Sequence, residues 1–451
     1  MKDPIGAFER IQDSVKRYVT SAFATNSPSF ERDRKTLLDT PGVFFQHPYV
    51  EPLPSYESGQ TLDELVDGGL PGMTPAAGAA FGVVASAGLF KERFPLYVHQ
   101  QRMLEKALEG KHCVVVTGTG SGKTESFLLP VIASVVREAK REATARSAAT
   151  RRPAPWTRSN LPSWDEVRPD MRQGGPSSSS PCPALVPDER AGRGPGLSPK
   201  GALDSDEAHA AMDEYLGGNR IRFGRYNGST PVSGHPFKAA DGSANTSARS
   251  KLKTAMREAV DDHLAIRRKI DAARATLESC MGSPNEDAAR NDLNKLLEQS
   301  TFMPRMDPNA AECFHRWEMQ ASPPDLLITN VSMLSIMLMR HRDPEMPSDR
   351  ADSQVFDATR EWLASDRDNN VFQLVIDELH LYRGTAGTEV AYLIRLLLDR
   401  LGLSPDSPQL QILASSASRM PRMPARSIFL AAFSGLAKTP PASASISSQG
   451  F

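Results

Sequence analysis

Cys113-Val114-Val115-Val116-Thr117-Gly118-Thr119-Gly120-Ser121-Gly122-Lys123-Thr124 is the stretch from which the rest of the chain is read. A short β-branched run leads into a glycine-rich turn, and the turn ends in Lys-Thr. Behind it Phe127, Leu128, Val131, Ile132 and Val135 recur at helical spacing. Strand, glycine loop, Lys-Thr and helix in that order are the context of a phosphate loop. Glycines let backbone N–H groups close around a phosphate at a helix N-terminus, where unpaired donors and the helix dipole favour an anion. Gly118, Thr119, Gly120, Ser121 and Gly122 would form that cradle. Lys123 would reach the outer phosphates, and the Thr124 hydroxyl would ligate Mg²⁺. One departure is visible: the first glycine of the general GxxxxGK[ST] pattern is Thr117.

Outward from the loop, short apolar runs recur at Leu326–Thr329, Phe372–Ile376 and Gln411–Ala414. None alternates with polar residues, as expected of strands buried on both faces of a parallel sheet. Helical patterns separate them; Val390, Leu393, Ile394, Leu397 and Leu401 keep i, i+3, i+4 spacing and Gly402 follows as a stop. The expected architecture is therefore α/β over residues 96–418. Residues 1–95 read as a mostly irregular accessory region with short helical patterns. Residues 250–320 read as a helical insertion, and 419–451 as an irregular tail. Residues 141–205 are dominated by Pro, Ser, Arg and Gly, so disorder is expected there.

Composition narrows the function classes. The chain has 451 residues, 39% hydrophobic and 24% charged, which suits a folded protein with a sizeable core. Lys+Arg total 53 against 54 Asp+Glu, so binding of a polyanion would need a local basic groove and not global charge. No run of eighteen apolar residues occurs and no apolar stretch follows Met1, so neither a membrane span nor a secretion signal is expected. The four cysteines show no CxxC spacing, which argues against zinc and against a disulfide framework. A cytoplasmic location follows as the expectation.

The second chemical signal is Val375-Ile376-Asp377-Glu378-Leu379-His380 at the end of an expected strand. Ligands of parallel sheets sit at the strands' carboxyl ends, so Asp377 can share a pocket with Lys123. Asp377 would hold Mg²⁺, and Glu378 would polarise an attacking water. Alone, an acidic pair after a strand is an ordinary solvated turn; the phosphate loop is what gives it meaning.

Taken in order, Leu96-Tyr97-Val98-His99-Gln100, the phosphate loop, Pro324–Asn330, Asp377-Glu378-Leu379-His380 and Ala414–Ser418 resemble the motifs of superfamily 2 DEAD/DEAH-box helicases. The continuation Leu381–Gly387 is similar to large bacterial helicases of the kind found in DNA repair and phage defence. The resemblance covers roughly residues 90–418. It implies a RecA-like P-loop domain that hydrolyses ATP with Mg²⁺ and moves on nucleic acid, DNA being the expected partner. It further implies that Gln100 reads adenine, and that Thr329 and Asn330 touch the nucleic-acid backbone. Phe223–Thr230 resembles the family's glycine-containing loop, with Arg225 and Tyr226 offering charge and a stacking face. Ser416 and Ser418 would couple phosphate state to strand binding, with Ser for the usual Thr at 418.

Some expected parts are not legible. No second RecA-like domain can be read after Ser418, so the motor is expected to be incomplete. The family's Tyr-Pro-Met-Asn-Ala-Leu-type strand and turn is missing between the phosphate loop and Phe223. Yet codons exist for residues 184–198 that, read one nucleotide later, spell Leu-Leu-Tyr-Pro-Met-Asn-Ala-Leu, so that stretch and the tail read as out-of-frame translations. Two rivals stay open: a silent ATP- or nucleic-acid-binding remnant, and a P-loop ATPase that does not act on nucleic acid.

Overall fold

The computed structural model describes residues 3–46, 55–89, 94–118, 121–146, 184–187, 203–217, 221–237, 243–282, 284–301, 303–304, 310–340, 353–382 and 384–416. The chain divides into two units, Met1–Ser55 and Tyr56–Phe451.

The first unit holds helices α1 (Pro4–Ala22) and α2 (Pro28–Asp39). Each begins with proline in its first turn, where the missing N–H costs nothing. Asp3 caps α1 by accepting from the Gly6 N–H. Lys16 pairs with Asp39 at 2.7 Å and lies over the Phe45 ring.

In the second unit all seven described strands run parallel in one sheet. They are β1 (Cys113–Val116), β2 (Ala184–Pro187), β3 (Phe223–Tyr226), β4 (Glu312–Cys313), β5 (Leu326–Thr329), β6 (Phe372–Ile376) and β7 (Leu410–Ser416), ordered β1-β7-β6-β2-β5-β3-β4. The absence of alternation in the sequence has its reason here. Val115, Leu326, Ile328, Val375 and Leu413 pack into one apolar cluster, while Leu327, Leu374, Ile376, Ile412 and Ala414 pack into another. Successive side chains point to opposite faces, and both faces are covered.

The first cluster is closed by helices α3 (Leu62–Asp67), α4 (Pro75–Gly88), α5 (Val98–Leu108), α6 (Lys123–Arg146) and α7 (Asp206–Tyr215). Thr61, Thr74 and Ser205 cap α3, α4 and α7 through their hydroxyls. The insertion is a pair of helices, α8 (Thr246–Cys280) and α9 (Glu286–Thr301). The second cluster is closed by α10 (Arg316–Ala321), α11 (Val331–Met339), α12 (Ser353–Ser365) and α13 (Gly384–Leu401). The fold is α/β and RecA-like, as expected.

Two expectations are corrected. The stretch before residue 95 holds four helices among its described residues, and Phe81, Val84 and Leu65 belong to the main apolar cluster, so it is built into the core from Tyr56 onward. Small residues and capping threonines, not long apolar runs, make these helices, which is why they read as irregular. Within 141–205, expected to be disordered, α6 continues to Arg146 and Ala184–Pro187 forms a strand between β6 and β5, so the expectation is corrected at those positions alone; 147–183 and 188–202 lie outside the described residues. Four residues suffice for a strand when neighbours on both sides supply the ladder partners. The tail 419–451 lies outside the described residues.

Candidate active site

The carboxyl ends of β1, β6 and β7 bring the two acidic and basic motifs together. Lys123, the first residue of α6, places its Nζ 3.5 Å from Glu378 Oε1. Both side chains are largely buried, at 9% and 19% exposure, so the pair is poorly screened by solvent. Asp377 Oδ1 accepts from the Glu378 N–H at 2.9 Å and from the Ser415 hydroxyl. The Ser415 Oγ also accepts from the Glu378 N–H at 3.3 Å. Two neighbouring strand ends are thereby tied through one hydroxyl.

Glu378 sits at φ 50°, in the left-handed region that a non-glycine residue rarely adopts. Its Oε2 is buried without a hydrogen bond, although His380 Nδ1 lies 3.2 Å away. A strained backbone that holds an under-satisfied carboxylate is a common property of functional sites.

The glycine loop is fastened from within and from outside. The Ser121 hydroxyl donates to Thr117 Oγ1 at 2.6 Å and lies 2.8 Å from the Gly118 carbonyl. The Thr117 N–H donates to the Ser416 carbonyl of β7. His99 Nε2 is 2.9 Å from the Ser121 carbonyl, so that nitrogen carries the proton and donates. Burial pulls the His99 pKa below its ordinary value, against the opposing pull of that bond. Gln100 Nε2 donates to the Gly122 carbonyl at 3.1 Å, and its Oε1 accepts from the Tyr97 N–H at 2.9 Å. Gly122 has φ +70°, and a Cβ there would meet Gln100 Nε2 at 2.3 Å, so only glycine fits.

These residues fit a Mg²⁺-bound nucleoside triphosphate. The loop opens a long helix at its N-terminus, Lys123 has a carboxylate beside it, and Glu378 keeps an oxygen without a hydrogen bond. Thr124 and Asp377, the candidate metal ligands, are both half-buried. Thr119, Gly120 and Ser418 lie outside the described residues.

The candidate nucleic-acid residues behave differently. Tyr226 is fully buried; its hydroxyl accepts from Gln320 Nε2 and the Arg316 guanidinium lies over its ring. Arg225 is paired with Glu312. The Thr329 hydroxyl donates to the Tyr226 carbonyl, and Asn330 caps α11 by accepting from the Met333 N–H. Tyr226 is therefore closed off as a stacking face, while Arg225, its side chain still 38% exposed, and the strand-end Thr329 and Asn330 have partners within the fold. Gln100 likewise has both ends of its amide engaged by the protein. Ser416 is buried in β7, and the residue that reaches Asp377 is its neighbour Ser415.

Sequence reasoning missed Ser415, His99, Tyr97 and Tyr56. Ser415 and His99 were legible as neighbours of named motifs. Tyr56 carried no signal, because backbone pairing between residues 57–60 and 96–98 is what delivers it to the loop.

Residues 97–152 match the DEAD/DEAH box helicase family model. Over 435 residues the chain is 28% identical to Druantia protein DruE of Escherichia coli (strain UMEA 4076-1). That match covers 90% of this chain and 20% of DruE, so the chain spans about a fifth of that relative's length. Among solved structures, DUF1998 helicase MrfA bound to DNA is similar at 18% identity and TM-score 0.35, over 82% of this chain and 28% of that one. MrfA bound to DNA and AMPPNP is similar at 15% identity and TM-score 0.34, over 85% and 30%. Among the described residues no helix is long and apolar enough to cross a membrane.

Proposed function

We propose, from a chain that resembles the superfamily 2 DEAD/DEAH-box helicases and carries a helicase-like ATPase domain, that it is the ATP-hydrolysing half of a DNA-directed motor. The observation that carries this reading is the convergence of Lys123, Asp377, Glu378 and Ser415 at one end of a parallel sheet.

In this reading bound ATP·Mg²⁺ supplies the reactive phosphoryl group and the charge that offsets its oxygens. Lys123 leaves Glu378 to neutralise the outer phosphates. Thr124 and Asp377 are the residues that would hold the metal. Glu378, relieved of its lysine, orients the attacking water through a carboxylate oxygen. Ser415 keeps Asp377 and the Glu378 backbone in register as the charge at the site changes. A second motor surface outside these residues would close the cleft and complete charge stabilisation.

A nucleic-acid-stimulated ATPase assay tests the reading. Turnover that rises with single-stranded DNA, and less with RNA of equal length, is the expected result. A second reading has one observation in its favour: Arg225, Tyr226, Thr329 and Asn330 are all engaged inside the protein. Unstimulated turnover would support that reading, an ATPase that does not act on nucleic acid. No binding of ATP at all would overturn both.

A further inference from the structure

We infer that Tyr56 is a positioning residue of the phosphate loop, acting on the phosphate half of the site through its hydroxyl. The inference rests on the reading of residues 117–124 as the ATP phosphate cradle.

Tyr56 comes from a segment with no recognised motif, yet its hydroxyl accepts from the Gly118 N–H at 3.0 Å. The approach is close enough that a Cβ on Gly118 would lie 2.9 Å from that oxygen. Backbone bonds hold the segment: Gly59 N–H to the Leu96 carbonyl at 2.7 Å, Leu96 N–H to Gln60 at 2.9 Å, and Val98 N–H to Glu57 at 2.9 Å. The ring is wedged against Tyr97 and His99, each at 5.5 Å between centroids, and those two rings stack at 15°.

Three side chains from outside the loop divide the work. His99 and Gln100 hold carbonyls, of Ser121 and Gly122. Tyr56 alone among these three holds an N–H, at Gly118, two residues past the end of β1. A loop that must aim its later N–H groups at phosphate gains from having its first glycine fixed, because glycine otherwise has the widest backbone freedom of any residue. Fixing it before the ligand arrives lowers the ordering cost of binding.

The hydroxyl, not the ring, is the active part, and this separates loop positioning from a contact with the base. Tyr56→Phe keeps the ring and its aromatic neighbours but leaves the Gly118 N–H without its partner. Binding of Mg²⁺·ATP and of Mg²⁺·tripolyphosphate, which has no base, is measured by calorimetry for wild type, Tyr56→Phe and Tyr392→Phe. Tyr392 is 68% exposed on α13 and serves as the control. The expected result is a loss of about three- to tenfold in both affinities for Tyr56→Phe, the range of one hydrogen bond. Backbone hydrogen exchange at residues 117–122 should speed up in the same variant. A loss confined to ATP, or no loss against wild-type binding, overturns the inference. Failure of the wild type to bind either ligand overturns the reading of the cradle itself.

Discussion

Lys123 Nζ and Glu378 Oε1 lie 3.5 Å apart, although one opens a helix near the start of the domain and the other follows β6 near its end. The lysine therefore rests on the carboxylate that the proposed hydrolysis needs free. In the proposed reading a bound polyphosphate draws Lys123 off Oε1, which links occupancy of the loop to release of the carboxylate.

Lys123→Ala removes the cation that holds the outer phosphates. ATP affinity should fall at least tenfold, since a charge-assisted hydrogen bond contributes about 1.5–3 kcal/mol. Titration of both proteins with Mg²⁺·ATP measures this, and equal affinities would refute the assignment of residues 117–124.

Glu378→Gln keeps size and packing but cannot polarise water as a carboxylate does. Binding should persist while turnover falls to background; unchanged turnover would move the catalytic assignment elsewhere.

The φ of 50° at Glu378 yields a separate prediction about stability. Glu378→Gly removes the cost of a side chain in the left-handed region, whereas Glu378→Ala keeps it. The glycine variant should exceed the alanine variant by about 1 kcal/mol in urea unfolding. The reverse order would show that the backbone there is unstrained.

His99 gives a pH dependence whose sign is fixed by its environment. Burial lowers its folded pKa below the ordinary 6.5, so the unfolded chain takes up the proton first as pH falls. Its contribution to stability is full above about pH 6.5 and is lost on acidification towards the folded pKa. His99→Gln can still donate to the Ser121 carbonyl but does not titrate. Urea midpoints of this variant should fall less steeply between pH 7 and 5.5 than those of wild type.

Ala184–Pro187 bears on the reading frame. As written, the segment is Ala-Leu-Val-Pro; one nucleotide later it would be Leu-Leu-Tyr-Pro. Both are apolar and both end in proline, so either can fill the slot between β6 and β5. Beyond it the two frames diverge, and only the shifted one spells a helicase-like turn. Sequencing the gene should reveal codons for residues 184–198 that encode that shifted peptide; their absence would end the idea of a frameshift.

The sequence by itself determined the α/β class, the glycine turn between β1 and α6 and the acidic pair after β6, because these depend on local order: a strand, a turn of fixed glycine spacing, a helix. It also determined which strands are buried on both faces, since unbroken apolar runs have no other stable place. Tertiary structure alone decided that Ser415, not Ser416, reaches Asp377, that Tyr56 meets Gly118, and that Tyr226 turns inward under Arg316. Each of these depends on strand register or on pairing between distant segments. A shift of one residue along a strand turns a side chain to the opposite face, and nothing in a linear pattern fixes that choice.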